Sequence, residues 1–201
     1  MILSGFGVVL RRINADDIEQ IRRWRNQDFI RNQMFHQDII SETQQVTWFD
    51  SVNNPTNYYF IIQVDDLPIG LIFAKNVNPI TNVGEGGIFI GDPAFLISDA
   101  PARASILLLY FCFNTLGLTN SFIRIKVGND AALKYNELLG YVVQETSASE
   151  WLLCLTKKAF FEAFMVSRLL SRLDPTLIIL SGLPSVNNLD HINELLASNR
   201  Q

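Results

Sequence analysis

The sequence predicts an α+β fold built on a mixed sheet, and three observations carry that prediction. Tyr58 to Val64 and Ile69 to Val77 are aromatic and β-branched runs separated by the turn pair Asp65-Asp66, which makes them antiparallel neighbours. Farther on, helical and extended patterns alternate, from the helix opened by Pro101 to the run Phe122 to Val127 and a helix begun at Asn129. Between residues 16 and 52 the apolar spacing is instead helical, which places a helical part ahead of the sheet.

Taken in order, Val8 to Leu10 is a short β-type run. Asp16 to Gln27 then puts Ile18, Ile21 and Trp24 on one helical face, with Asp16, Asp17 and Glu19 at its positive end. Ser41-Glu42-Thr43-Gln44 is a capping-box sequence, and Val46, Phe49 and Val52 repeat at helical spacing behind it. Gly84-Glu85-Gly86-Gly87 reads as a break before a third meander strand at Ile88 to Ile90. Pro101 starts an apolar helix through about Leu116, and the helix begun at Asn129 stops at Gly140. Tyr141 to Gln144 and Trp151 to Leu155 read as the last strands. After Lys158 the pattern changes. Phe160, Phe161, Phe164, Leu169 and Leu170 suggest a helix ended by Pro175, Leu177 to Leu180 a strand, and Leu189 to Leu196 a short helix. The chain therefore divides into a domain over residues 1–158 and an extension over 159–201.

With 201 residues, 48% hydrophobic and 18% charged, the chain can bury a core without disulfides. Cys112 and Cys154 sit in apolar runs and read as buried small hydrophobes in a reducing compartment, so a cytoplasmic location is expected. The longest apolar run, Ile106 to Phe113, falls short of the roughly 20 residues of a membrane span. A balance of 16 Lys+Arg against 20 Asp+Glu gives −4 and offers no broad basic face for nucleic acid. Two His and two Cys are scattered without ligand spacing, so no metal site is expected. The apolar extension from Ala159 to Leu180 suits a homodimer contact.

Two segments carry chemistry. Small residues at 100, 102, 104 and 105 around Pro101 allow close backbone approach at a helix N-terminus, where Arg103 adds a charged donor, so either a phosphate or plain packing against the sheet suits them. In N-D-A-A-L-K-Y-N-E-L-L-G-Y, residues 129–141, Asn129 is a natural N-cap and Ala132 and Tyr135 share a face. An ordinary amphipathic helix with a buried tyrosine is the alternative.

Residues 85–93, E-G-G-I-F-I-G-D-P, followed by a helix N-terminus and then by that N-x-x-A-x-x-Y helix, resemble the GNAT superfamily of acyl-CoA-dependent N-acetyltransferases. Trp24-Arg25-Asn26, Ile30-Arg31, Met34, Ile40-Ser41 and Trp48-Phe49 are similar to the branch with ribosomal-protein N-terminal acetyltransferases and acetyltransferases of nucleotide-linked amino sugars. The likeness covers about residues 8–157. It implies a mostly antiparallel mixed sheet with a splayed central parallel pair, flanked by helices. Backbone groups of Ile88, Phe89, Ile90 and Gly91 would hold the pantetheine arm of acetyl-CoA, with an amide near Ile90 polarising the thioester carbonyl. Ala102, Arg103, Ala104 and Ser105 would hold the pyrophosphate, and Asn129 and Ala132 would also touch the donor. Tyr135 would serve as the acid for the departing thiolate, and Glu85, a glutamate often found there in the family, as the base, unless it is a solvated strand-end carboxylate.

The resemblance also exposes departures. Asp99-Ala100-Pro101-Ala102-Arg103-Ala104 has alanines where the family's phosphate loop has glycines, and Asp99 stands where a donor is usual and would repel pyrophosphate, with Arg103 as the compensating charge. Gln45 replaces the histidine many relatives carry, and His36 lies near enough in sequence to reach the acceptor site. Arg25, Asn26, Met34 and Trp48 fall where the superfamily binds its acceptor: Arg25 to pair a phosphate or carboxylate or a surface acid, Trp48 to stack a sugar or base or to fill the core. The leading expectation is acetylation of a primary amine on a nucleotide-linked amino sugar. The others are a protein or peptide N-terminus, and a module that has lost acyl transfer.

Overall fold

The computed structural model describes residues 1–163 and, as backbone, Ile179–Ser181. Strands β1 (Ile2–Gly5) and β2 (Val8–Arg12) form a hairpin and lead into helices α1 (Ile18–Asn26), α2 (Asp28–Arg31) and α3 (Glu42–Val52). Strands β3 (Tyr58–Val64), β4 (Leu67–Asn78) and β5 (Val83–Ile90) are followed by α4 (Ala100–Tyr110), which runs on as one π-helical turn, Phe111–Thr115. Then come β6 (Asn120–Lys126), α5 (Asp130–Leu138), β7 (Val142–Thr146), β8 (Glu150–Thr156), α6 (Lys157–Glu162) and β9 (Ile179–Ser181). They make one sheet of order β7-β8-β6-β5-β4-β3-β2-β1-β9, antiparallel except for β5 and β6.

That mixed, mostly antiparallel sheet flanked by helices is the architecture the sequence predicts. Strand alternation gives it two apolar faces. Phe60, Ile62, Ile72 and Ile90 face one way and meet Ala104, Leu107 and Phe111 of the α4 layer. Tyr59, Ile61, Leu71 and Phe89 face the other way and meet Ile21, Trp24 and Ile30 of the N-terminal helices. Ser41 caps α3 through the expected capping box, Asn129 caps α5 by accepting from the Ala132 amide, and Gly140 takes φ +96° behind α5.

Several elements differ from the reading above, each for a local reason. Residues 84–87 do not break the chain but lie inside β5, whose glycines make room for neighbours. A Cβ on Gly87 would fall 2.3 Å from the Phe73 ring. β1 escapes a pattern reading because it has four residues and is closed by Phe6-Gly7, whose φ values of 58° and 71° form a tight turn without the usual Asn-Gly signal. Val46 points to solvent and Gln45 takes the buried place beside Trp48, Phe49 and Val52. Cys154 is only half-buried, whereas Cys112 is buried. Phe160 of α6 is fully buried against Phe113, ring centroids 5.3 Å apart, so the main core continues past residue 158. The expected strand near Leu177 is present as β9, which pairs with β1; Phe164, Leu169, Leu170 and residues 189–196, with His191, lie outside the described residues.

The helix carrying Arg25 is seated by a glycine contact. The Trp24 indole lies flat against Gly91, where a Cβ would be 2.3 Å from its ring atoms. Replacing Gly91 by alanine is expected to cost about 1–3 kcal/mol, the usual penalty of overpacking. A urea midpoint unchanged in Gly91→Ala would show that the indole moves aside freely.

Candidate active site

Strands β5 and β6 pair in parallel over only three positions, Val83 with Asn120, Gly84 with Ser121 and Glu85 with Phe122. Beyond Glu85 the two diverge, while β5 stays paired with β4 up to Ile90 and β6 with β8 up to Lys126. Gly91 donates its N–H to the Ile69 carbonyl at 2.8 Å on the β4 side. By the alternation of an antiparallel ladder, the backbone groups of Ile88 and Ile90 then face the opened side. This is the splayed parallel pair, with free strand-edge donors and acceptors along one wall.

The opening leads into a cavity of about 710 Å³. At one end Ile88, Ile90, Ser105, Asn129, Ala132 and Tyr135 line it. At the other lie Arg25, Met34, Gln45 and Trp48 from the N-terminal helices, together with Tyr59 and Phe89 of the sheet. Glu85 stands between them, and His36 is at the exposed rim. Five expected residues lie outside the lining: Ala102 and Arg103 stand at the start of α4, and Asn26, Gly91 and Ala104 are engaged elsewhere. Asn26 is turned to the chain, donating Nδ2 to the Ile40 carbonyl at 2.9 Å and accepting the Ile40 amide at 2.8 Å, so it fixes the loop before α3. Gly91 is covered by Trp24, and Ala104 is buried in the main core.

The Tyr135 hydroxyl donates to the Pro101 carbonyl at 2.9 Å, and Ser105 Oγ lies 2.7 Å from it. With the phenol proton on Pro101, the serine is the donor of the second bond. Burial pushes the phenol well above its ordinary range, so Tyr135 stays protonated at neutral pH. Tyr141 is raised likewise by burial, and its hydroxyl is 2.8 Å from Ser121 Oγ near the apex of the opening. Glu85 pairs with Lys75 at 3.0 Å, a partner that strand register alone could have suggested, since the two are opposite residues of β4 and β5. Burial, aided by Glu85, pushes Tyr59 up to about 12.

At the start of α4 the arrangement differs from the expected phosphate loop. Arg103 donates Nη1 to the Phe6 carbonyl at 2.8 Å and pairs Nη2 with Asp99 at 2.9 Å. Its charge is therefore shared with the residue it was expected to offset. The Ala100 amide meets Ser98 Oγ at 3.3 Å, Pro101 has no N–H, and Arg103 N bonds Asp99, which leaves the Ala102 amide as the open donor of the first turn. A smaller cavity of about 380 Å³ adjoins it, lined by Ser98, Asp99, Pro101, Ala102, Arg103 and Tyr135 among others. The first turn of α4 thus offers one backbone donor, the Ala102 amide, beside that cavity.

Arg25 is the other notable cation. Its guanidinium carbon lies 6.0 Å from the Phe89 ring centroid, and desolvation lowers its pKa. Nη1 is buried and meets no acceptor among the described residues; the same holds for Nε2 of Gln45. A buried donor left unpaired costs about 1–3 kcal/mol.

No protein-family model and no curated protein sequence matches the chain. Solved structures do. Spermidine N-acetyltransferase from Vibrio cholerae, in complex with CoA and spermine, is similar over 78% of this chain and 99% of its own, with TM-score 0.71 and 16% identity. FdhC, a nucleotide-linked sugar GNAT, is similar over 84% of this chain and 97% of its own, with TM-score 0.71 and 21% identity. RimL, a ribosomal L7/L12 α-N-protein acetyltransferase in complex with CoA, covers 79% and 99% at TM-score 0.68 and 11% identity. The chain has the GNAT fold.

The buried phenols make stability alkali-sensitive. Tyr59, Tyr135 and Tyr141 have folded-state pKa values above the ordinary 10.0, so the unfolded chain loses their protons first as pH rises. Their contribution is complete below pH about 10 and is lost as pH climbs through the folded-state values. Urea midpoints measured at pH 8, 10, 11 and 12 are expected to hold to pH 10 and then fall; a flat profile would mean the phenols ionise in place.

Proposed function

We propose that the protein is an acetyl-CoA-dependent N-acetyltransferase, and that its acceptor is the primary amine of a nucleotide-linked amino sugar. The observation that supports this most is the opening between β5 and β6, which leads free strand-edge groups, the Tyr135 hydroxyl and the acceptor-side residues into one cavity. In this reading the thioester lies in the opening with its carbonyl toward an amide near Ile90. The amine nitrogen attacks that carbon directly, the N–C bond forms, and the C–S bond breaks. The departing thiolate takes a proton from Tyr135, while the amine gives one up to Glu85 or to water beside it. Ser105 donates to the phenolate oxygen left behind, which is why its 2.7 Å contact matters.

The similarity to FdhC, a sugar GNAT, and the aromatic acceptor end formed by Trp48 and Tyr59 support the amino-sugar acceptor. A second reading, a binding module without acyl transfer, draws on one observation: Arg103 is occupied by Phe6 and Asp99. Calorimetry with acetyl-CoA separates the two. Saturable binding is expected, and none at millimolar donor would favour the module. Tyr135→Phe should lower kcat roughly 10- to 1,000-fold with acetyl-CoA affinity nearly unchanged, as for loss of a general acid. Full activity in that variant would remove Tyr135 from the chemistry.

A further inference from the structure

At the acceptor end of the cavity the unmet hydrogen-bonding groups are both donors. Arg25 Nη1 and Gln45 Nε2 are buried without an acceptor among the described residues, and Gln45 is only 2% exposed. They come from different helices, α1 and α3, and line the same cavity. The other charges of the wall are engaged. Lys75 pairs with Glu85 at 3.0 Å, Arg124 with Glu150 at 2.8 Å, and Lys126 donates to the Asn32 carbonyl at 3.2 Å. Glu85 is the one carboxylate in the lining described, and it already has its cation. Lys126, like Arg25, meets no carboxylate, but it is Arg25 whose Nη1 is buried without any acceptor among the described residues, and the Phe89 ring beside it, with its centroid 6.0 Å from the guanidinium carbon, helps fix its plane.

Such a wall repels a polyamine and suits an acceptor rich in anionic oxygen. A guanidinium fork matches phosphate oxygens bidentately, and a primary amide supplies a further neutral donor. We propose that Arg25 and Gln45 bind the phosphate group of the acceptor, so that this cavity takes an amine attached to a phosphate or diphosphate and excludes polycationic amines. The proposal rests on the N-acetyltransferase reading and names the part of the acceptor that the site recognises.

UDP and uridine are the probes, titrated by calorimetry into the full chain saturated with acetyl-CoA. UDP is expected to bind at least tenfold more tightly than uridine. Arg25→Gln should weaken UDP by about 10- to 100-fold, Arg25→Lys by less, and both should leave acetyl-CoA affinity unchanged. Equal binding of UDP and uridine, or UDP binding indifferent to both substitutions, would overturn the proposal. So would faster turnover of spermidine than of a UDP-linked amino sugar. Weakened acetyl-CoA binding in Arg25→Gln would assign the guanidinium to the donor's phosphates instead. Lack of acetyl-CoA binding by the unaltered protein would sink the transferase reading alone. UDP titrated without donor then still decides the role of Arg25, and the contrast with uridine in the unaltered chain needs no variant to fold.

Discussion

The divergence of β5 from β6 after Glu85 is the constraint on which the rest of the structure depends. A sheet gains its stability from paired backbone groups, and an opening in its middle leaves polar edges that must meet solvent or a ligand. Here the sheet tolerates the opening because each strand keeps a full partner on its other side, β4 for β5 and β8 for β6. Helix α4 crosses beneath, and Ser105, Leu108, Leu109 and Cys112 form part of the cavity wall. Among the glycines of β5, Gly87 is the one this geometry leaves least room to replace. Gly86 stands in ordinary contact distance of Ser121 and Tyr141, and Gly87 lies under Phe73, so larger residues would fill the apex or lift the ring.

The start of α4 shows a different compromise. A helix N-terminus offers amides to an anion, but this one begins Asp99, Ala100, Pro101, and two of its early groups are satisfied internally or missing. Arg103 instead ties the helix to the β1–β2 turn through the Phe6 carbonyl, and its guanidinium lies over Gly7, whose φ of +71° already favours glycine. Asp99 balances that charge at the surface. The arginine is therefore first a structural tether, and the Ala102 amide is the open donor left beside the smaller cavity.

What was legible in the sequence follows from which interactions are local. The Ser41 capping box, the Asp65-Asp66 turn, the Asn129 cap and the Gly140 stop act within a few residues, and each is where its pattern places it. The class of fold follows from their order. The glycine run of β5 reads as a break because its partners, Phe73 and Tyr141, are distant in sequence and supply the side-chain volume the strand lacks. Gln45 stands three, four and seven residues before Trp48, Phe49 and Val52, so helical spacing puts it on their buried face, and only its polar side chain hides this from an apolar pattern. Arg103 and Asn26 were readable as polar residues near a site; that their hydrogen bonds go to Phe6 and Ile40 depends on loops 97 and 14 residues away.

The period of two along β5 also explains how one strand serves both ends of the cavity. Ile88 and Ile90 belong to the face shared with α4, while Phe89 belongs to the face shared with α1, where it lies beside Arg25. Backbone groups in the opening serve the one side, and a side chain between them supports the other. A one-residue slip of β5 against β4 would exchange these roles and put an aromatic ring into the opening. That slip is opposed at both ends of the strand, by the Lys75–Glu85 pair at the apex and by Gly91 held to Ile69 under the Trp24 indole. The register that makes the cavity is thus held by residues that line it or abut it, so the site and the sheet are specified by the same contacts.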